Sequence, residues 1–260
     1  MTFSTQTIRG PAGRLAVTTA GEGGVPVLFV HGNSGNRTQW AAQQAHLKQR
    51  SVSLDLRGMG ESEPDAAGRY HYRELAEDVA AVAEGLGLER FVLVGHSLGC
   101  AVVAEYAARH PERVVGLVLA DPGDSVKELP PQVVEAFRAM FLPERYEAGR
   151  LRWFEPFLRD ARAGTRAAVL DSLRATPREV VFGAIWSLFE LEPAEQLSRY
   201  PGPRLVIAAA HTLEAFGARA LHRRVPGIEV KALSGVSHWL MMDDPEGFNA
   251  ALDAFLLRAA

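Results

Sequence analysis

"RFVLVGHSLGCAVVAEYAARH", residues 90–110, joins two unlike patterns with almost nothing between them. "RFVLVGHS" is a short apolar run of buried-strand type. "LGCAVVAEYAARH" is a helix of small residues, closed by Pro111. Across the join lies Gly95-His96-Ser97-Leu98-Gly99, a G-x-S-x-G in the strand–turn–helix context that gives the pattern its meaning. A serine at so tight a turn lifts its hydroxyl above the sheet. The positions two residues to either side must be small, because a Cβ there would strike neighbouring backbone. The Leu98 N–H opens the helix and points at any negative charge that develops beside the serine. Ser97 is the candidate nucleophile, and Leu98 a candidate donor to an oxyanion.

Outward from this junction the same alternation repeats. "VPVLFVHG" (25–32), "SVSLDLRG" (51–58) and "RVVGLVLAD" (113–121) are buried strands. Helices are predicted over Trp40 to Lys48 and along the face made by Leu75, Val79, Val82 and Leu86. Residues 125–200 break the rhythm. They contain no strand pattern, only helical stretches rich in Arg, Glu and aromatics, such as the face of Val133, Val134, Phe137, Met140 and Phe141. Strands then resume with "RLVIAAAH" (204–211) and "IEVKAL" (228–233), before a last helix from about Pro245 to Arg258. The expected fold class is α/β: a mostly parallel sheet with helices on both faces, formed by residues 1–124 and 201–260 and interrupted by a helical insertion, 125–200.

Composition agrees with one such domain. The chain has 260 residues, of which 47% are hydrophobic, and a formal charge of −3 that gives no reason to expect nucleic acid or an anionic membrane as partner. Cys100 is the only cysteine, so no internal disulfide forms and a reducing compartment fits. No segment has the run of about 20 apolar residues that spans a membrane, and no signal-peptide pattern opens the sequence. A soluble cytoplasmic protein with a small-molecule substrate is expected.

Downstream, "LSGVSHWLMMDDPEGF" sets His238 in a loop between the last strand and the last helix. From there an imidazole reaches across the strand ends to take a proton from Ser97 and return it to a leaving group. In "FVHGNSGN", Gly32 lets backbone approach the serine, and the Asn33 N–H becomes a second oxyanion donor. His31 shapes that loop, and His96 packs inside the turn. "DLRGMGES" (55–62) is scaffold, and His46, His71, His110 and His222 belong to the surface. Asp243 and Asp244 are placed at the start of the last helix, where the dipole favours acidic residues.

"FVHGNSGN", "DLRGMGES", "VGHSLG" and "GVSHW", in this order, make the chain resemble the α/β-hydrolase fold superfamily over nearly its whole length. The resemblance implies an eight-stranded sheet, a Ser–acid–His triad, an oxyanion hole of Asn33 and Leu98 N–H groups, and a helical cap. It implies no cofactor and no metal. The family most often places its acid after strand seven, but "LVIAAAHTLEAF" (205–216), read as a buried strand running into a loop, offers Thr212 there. A subset that includes haloalkane dehalogenases carries the acid at the end of strand six, where this chain has Asp121. Glu214 and Asp124 are the alternatives. Dehalogenases and epoxide hydrolases attack with an aspartate, whereas Ser97 favours acyl chemistry.

The expected activity is hydrolysis of a carboxylic ester or lactone of a small, largely apolar substrate. Two alternatives stand beside it: a cofactor-free C–C hydrolase of diketones, marked by an inward cap arginine, and a non-catalytic binding protein on the same fold. Phe137, Phe141, Trp153, Trp186 and Trp239 are the candidate pocket residues, with Phe154, Phe157, Phe182 and Phe189 nearby in the insertion.

Overall fold

The computed structural model describes residues 2–123, 129–216 and 221–259. Eight strands form one sheet in the order β1-β2-β4-β3-β5-β6-β7-β8. They are β1 (Ser4–Arg9), β2 (Arg14–Ala20), β3 (Val27–Val30), β4 (Ser51–Leu54), β5 (Phe91–His96), β6 (Val114–Ala120), β7 (Arg204–Ala209) and β8 (Ile228–Leu233). β1 pairs antiparallel with β2, and β2 with β4; every later pairing is parallel. This is the mostly parallel eight-stranded sheet that the resemblance implied.

Side chains alternate across it with period two. Leu28 and Val30, Phe91 and Leu93, and Leu117 and Leu119 enter a core shared with the helices Tyr72–Gly85 and Leu98–Arg109. Val27 and Phe29, Val92 and Val94, and Val118 and Ala120 enter a second core with Trp40 and the helix Pro245–Ala259. Both faces are covered, so the central strands are apolar without interruption. The loop after β4 is locked by charge: buried Arg57 donates to both carboxylate oxygens of Asp78, and Asp55 accepts the Arg37 N–H at 2.5 Å and the Glu61 N–H at 2.9 Å.

Between β6 and β7 the described residues are helical, with Pro131–Met140, Tyr146–Phe154, Ala163–Ala175, Arg178–Ser187 and Pro193–Ser198 as the α-helices. Three local features depart from the sequence reading. The β1–β2 hairpin carried no strand signal, because β1 is an exposed edge with little apolar content. β7 runs into the helix Ala210–Phe216 rather than a loop; Ala, Leu and Glu favour helix, and no Gly or Pro intervenes. Asp244 does open the last helix, accepting the Gly247 N–H at 3.0 Å, but Asp243 is fully buried and faces elsewhere. Among the described residues no helix is long and apolar enough to cross a membrane.

Candidate active site

The end of β5 is forced into an uncommon conformation. Ser97 has φ 51° and ψ −116°, outside the regions that L-residues ordinarily occupy. Its neighbours leave no room for a larger residue. A Cβ on Gly95 would lie 2.4 Å from the Gly99 carbonyl oxygen, and one on Gly99 would lie 2.6 Å from the carbonyls of Val30 and His31. A Cβ on Gly32 would come within 3.1 Å of the Ser97 Cβ, so the loop after β3 presses directly on the serine. Hydrogen bonds pin the turn from both sides. The Ser97 N–H donates to Ala120 at 3.0 Å, and the Cys100 N–H donates back to the Ser97 carbonyl at 2.9 Å.

The neighbouring strand ends in a second strained residue. Asp121 has φ 46° and is 1% exposed, and its N–H donates to Ile207 on β7 at 2.8 Å. Among the described residues its carboxylate has three donors. Oδ1 accepts the Ala209 N–H at 2.9 Å, while Oδ2 accepts the Thr212 hydroxyl at 3.1 Å and Nδ1–H of His238 at 2.6 Å. That last contact fixes the imidazole: Nδ1 carries the proton, and Nε2 is left to accept one. Glu214, by contrast, is exposed, and the His238 Nδ1 partner among the described residues is Asp121. Asp124 lies outside the described residues.

The histidine loop is held by its backbone. The His238 N–H donates to the Phe157 carbonyl at 3.2 Å, and its own carbonyl accepts Nε2–H of His96 at 2.9 Å. Asp243 secures the same loop. It accepts the Ser237 N–H at 2.8 Å and the Arg162 N–H at 2.9 Å, joining the histidine loop to the helical segment. Burial pushes the His96 imidazole well below its ordinary pKa, with the neighbouring His238 adding to the effect. Burial also lowers His31, which donates through Nδ1 to the Gly32 carbonyl at 2.7 Å and accepts the Leu56 N–H on Nε2 at 3.1 Å. Both are neutral supports of the strand ends.

The Asn33 side chain is tied to the helical segment and to its own loop. Its amide donates to the Val181 carbonyl at 2.9 Å and accepts the Ser34 hydroxyl at 2.9 Å. Its backbone N–H has no acceptor among the described residues. Leu98 is the first residue of its helix, so its N–H has no intrahelical acceptor either.

Ser97, His238, Asp121, Asn33 and Leu98 all border one cavity of about 560 Å³. Of the candidate pocket residues, Phe137, Trp153 and Trp239 line it, together with Phe154, Phe157 and Phe189. Phe141 and Trp186 do not, nor does Phe182. Phe141 is buried between Tyr146 and Phe182, and Trp186 stacks on Phe182 and Phe189 with the Arg138 guanidinium 4.5 Å from its ring. Helical periodicity grouped these rings, but it did not tell inward packing from cavity lining. Thr212, His211 and Gln196 also reach the cavity wall, and none had been read as part of a site. Among the described residues no Arg or Lys lines the cavity, and no three His, Cys, Asp or Glu side chains are grouped to hold a metal ion.

Comparison with known proteins places this architecture. The alpha/beta hydrolase fold family model matches residues 25–245. The dihydrolipoyllysine-residue acetyltransferase component of the acetoin cleaving system of Cupriavidus necator is 29% identical over 256 residues. That match covers 94% of this chain but only 66% of the relative, so the chain spans less than two thirds of its length. A haloalkane dehalogenase of Sphingobium indicum is 30% identical over 283 residues, covering 94% of this chain and 92% of the dehalogenase. Among solved structures, an N-acyl homoserine lactone degrading enzyme superposes with a TM-score of 0.83 at 26% identity, covering 96% of this chain and all of the other.

Proposed function

Since the chain belongs to the α/β-hydrolase family, we propose that this hydrolase cleaves a carboxylic ester or lactone of a small, largely apolar substrate through an acyl-enzyme on Ser97. The observation that carries the reading is the 2.6 Å contact from buried Asp121 to Nδ1 of His238, at a cavity that both share with Ser97. In the proposed reaction, Nε2 of His238 accepts the Ser97 proton as Oγ bonds to the substrate carbonyl carbon. Asp121 holds the tautomer and stabilises the imidazolium that results. The Asn33 and Leu98 N–H groups receive the oxyanion, each contributing about 3 kcal/mol at the transition state. Collapse of the tetrahedral intermediate breaks the carbonyl–oxygen bond, and Nε2–H gives its proton to the departing alkoxide. Water then attacks the acyl-enzyme by the same route and releases the acid.

The segment 125–200, helical in its described residues, acts here as a cap over a core of residues 1–124 and 201–260, and supplies aromatic lining. A serine oxygen rather than a carboxylate at the turn directs the chemistry to acyl transfer and away from halide displacement. A lining free of Arg and Lys among the described residues favours a neutral ester or lactone over an anionic diketone. The lactone degraded by the structural relative is itself an internal ester.

The test is labelling by a fluorophosphonate, followed by hydrolysis of p-nitrophenyl butyrate. The parent protein should be labelled at Ser97 and turn over, and Ser97→Ala should do neither. Undiminished turnover by Ser97→Ala would end the reading.

A further inference from the structure

The cavity beside Ser97 has two unlike ends. One runs along the helix Leu98–Arg109, over Ala101 and Ala104, and is walled by Leu191, Leu197 and Leu221. Every one of these is at most 5% exposed, so the described side chains of this end are buried. Its far wall is Gln196, whose amide donates to Glu105 at 2.8 Å, while the Glu105 carboxylate is held in turn by Arg109 at 2.8 Å. The other end is aromatic, with Trp153 and Phe157, and it opens to solvent past Leu129, Val133 and Phe157, which are 36%, 44% and 37% exposed.

His238 decides which part of a substrate lies at which end. Its ring is 5.1 Å from that of Phe157, and its N–H is bonded to the Phe157 carbonyl. The imidazole that protonates a leaving group must adjoin it, so the leaving group lies toward Phe157 and the open mouth. The acyl chain is left the buried aliphatic arm. Ala104 lies six positions beyond Leu98, a rise of about 9 Å along the helix, which matches an extended alkyl chain of about seven carbons.

Resting on the ester reading above, we propose that this enzyme is selective for unbranched acyl groups of about six to eight carbons, seated over Ala101 and Ala104 and stopped by Gln196. The small side chains at 101 and 104 set the bore of the arm, and the Gln196–Glu105–Arg109 chain of hydrogen bonds sets its length. Each methylene that enters the arm raises kcat/KM by up to about fourfold, and the gain ends where Gln196 begins.

The experiment measures kcat/KM for p-nitrophenyl esters from acetate to dodecanoate with the parent, Ala104→Leu and Gln196→Ala. The parent should rise toward hexanoate and octanoate, then fall. Ala104→Leu, which fills the arm, should lower the octanoate-to-acetate ratio about tenfold or more. Gln196→Ala, which removes the stop, should move the optimum to longer chains. General damage to folding lowers all esters together and does not shift the optimum in opposite directions. A flat parent profile, or an optimum unmoved in both variants, would overturn the acyl arm while leaving the ester reading intact. No turnover of any ester above the Ser97→Ala background would remove both.

Discussion

β6 and β7 are neighbouring parallel strands with nearly the same composition, yet their ends do opposite things. β6 closes "VLA" and turns at once through Asp121, at φ 46°. β7 closes "IAA" and continues as a helix in which Thr212 stands where a family acid is most often found. The two ends are nonetheless one unit. Both oxygens of Asp121 are held from β7 and its helix, by the Ala209 N–H and the Thr212 hydroxyl. What the imidazole requires is a carboxylate facing Nδ1. The strand end without a carboxylate supplies hydrogen-bond donors to the one that has it.

The comparison breaks most visibly if the acid is moved back. In an Asp121→Asn background, Thr212→Asp puts a carboxylate on the partner strand end, within a side chain's reach of the vacated position. We expect kcat for p-nitrophenyl butyrate to rise about 10²-fold over Asp121→Asn alone. No gain would mean that the two strand ends are not equivalent sites. A smaller effect follows from the donor. Thr212→Val keeps the volume and removes one hydrogen bond to a charged acceptor, so kcat should fall a few-fold, toward tenfold at most; an unchanged kcat would leave the hydroxyl as packing.

The smallest effect concerns the supports beside the acid. Burial lowers the imidazoles of His31 and His96, so the native protein resists protonating them, whereas the unfolded chain takes up protons near pH 6.5. The unfolded state therefore binds more protons as pH falls, and stability is whole above about pH 6.5 and declines below it. Thermal melting between pH 7.5 and pH 5 should show Tm falling by several degrees, with a shallower slope in His96→Gln. A Tm that holds level to pH 5 would contradict the buried, neutral assignment.

Much of the fold was legible because strand and helix periods differ, and because G-x-S-x-G tolerates so few settings. Gly95 and Gly99 show why: a methyl group at either meets backbone oxygen within 2.6 Å. The features that escaped depend on partners far away in sequence. The partner strand of β1 gives it an edge that its own exposed residues do not announce. The role of Asp243 comes from Arg162, 81 residues away. Phe137 and Phe141 share a helical face, yet one lines the cavity and the other packs against Tyr146. For the acid the sequence offered Asp121, Glu214 and Asp124, and only a folded sheet places one of them against His238.

The most direct test compares hydrolysis of p-nitrophenyl butyrate at neutral pH by the parent, Asp121→Asn and Glu214→Gln, with circular dichroism confirming the fold of each. The account predicts a loss in kcat on the order of 10⁴ for Asp121→Asn and a change within about twofold for Glu214→Gln, which is exposed. Parent-like activity in Asp121→Asn, or a collapse of activity in Glu214→Gln, would contradict it.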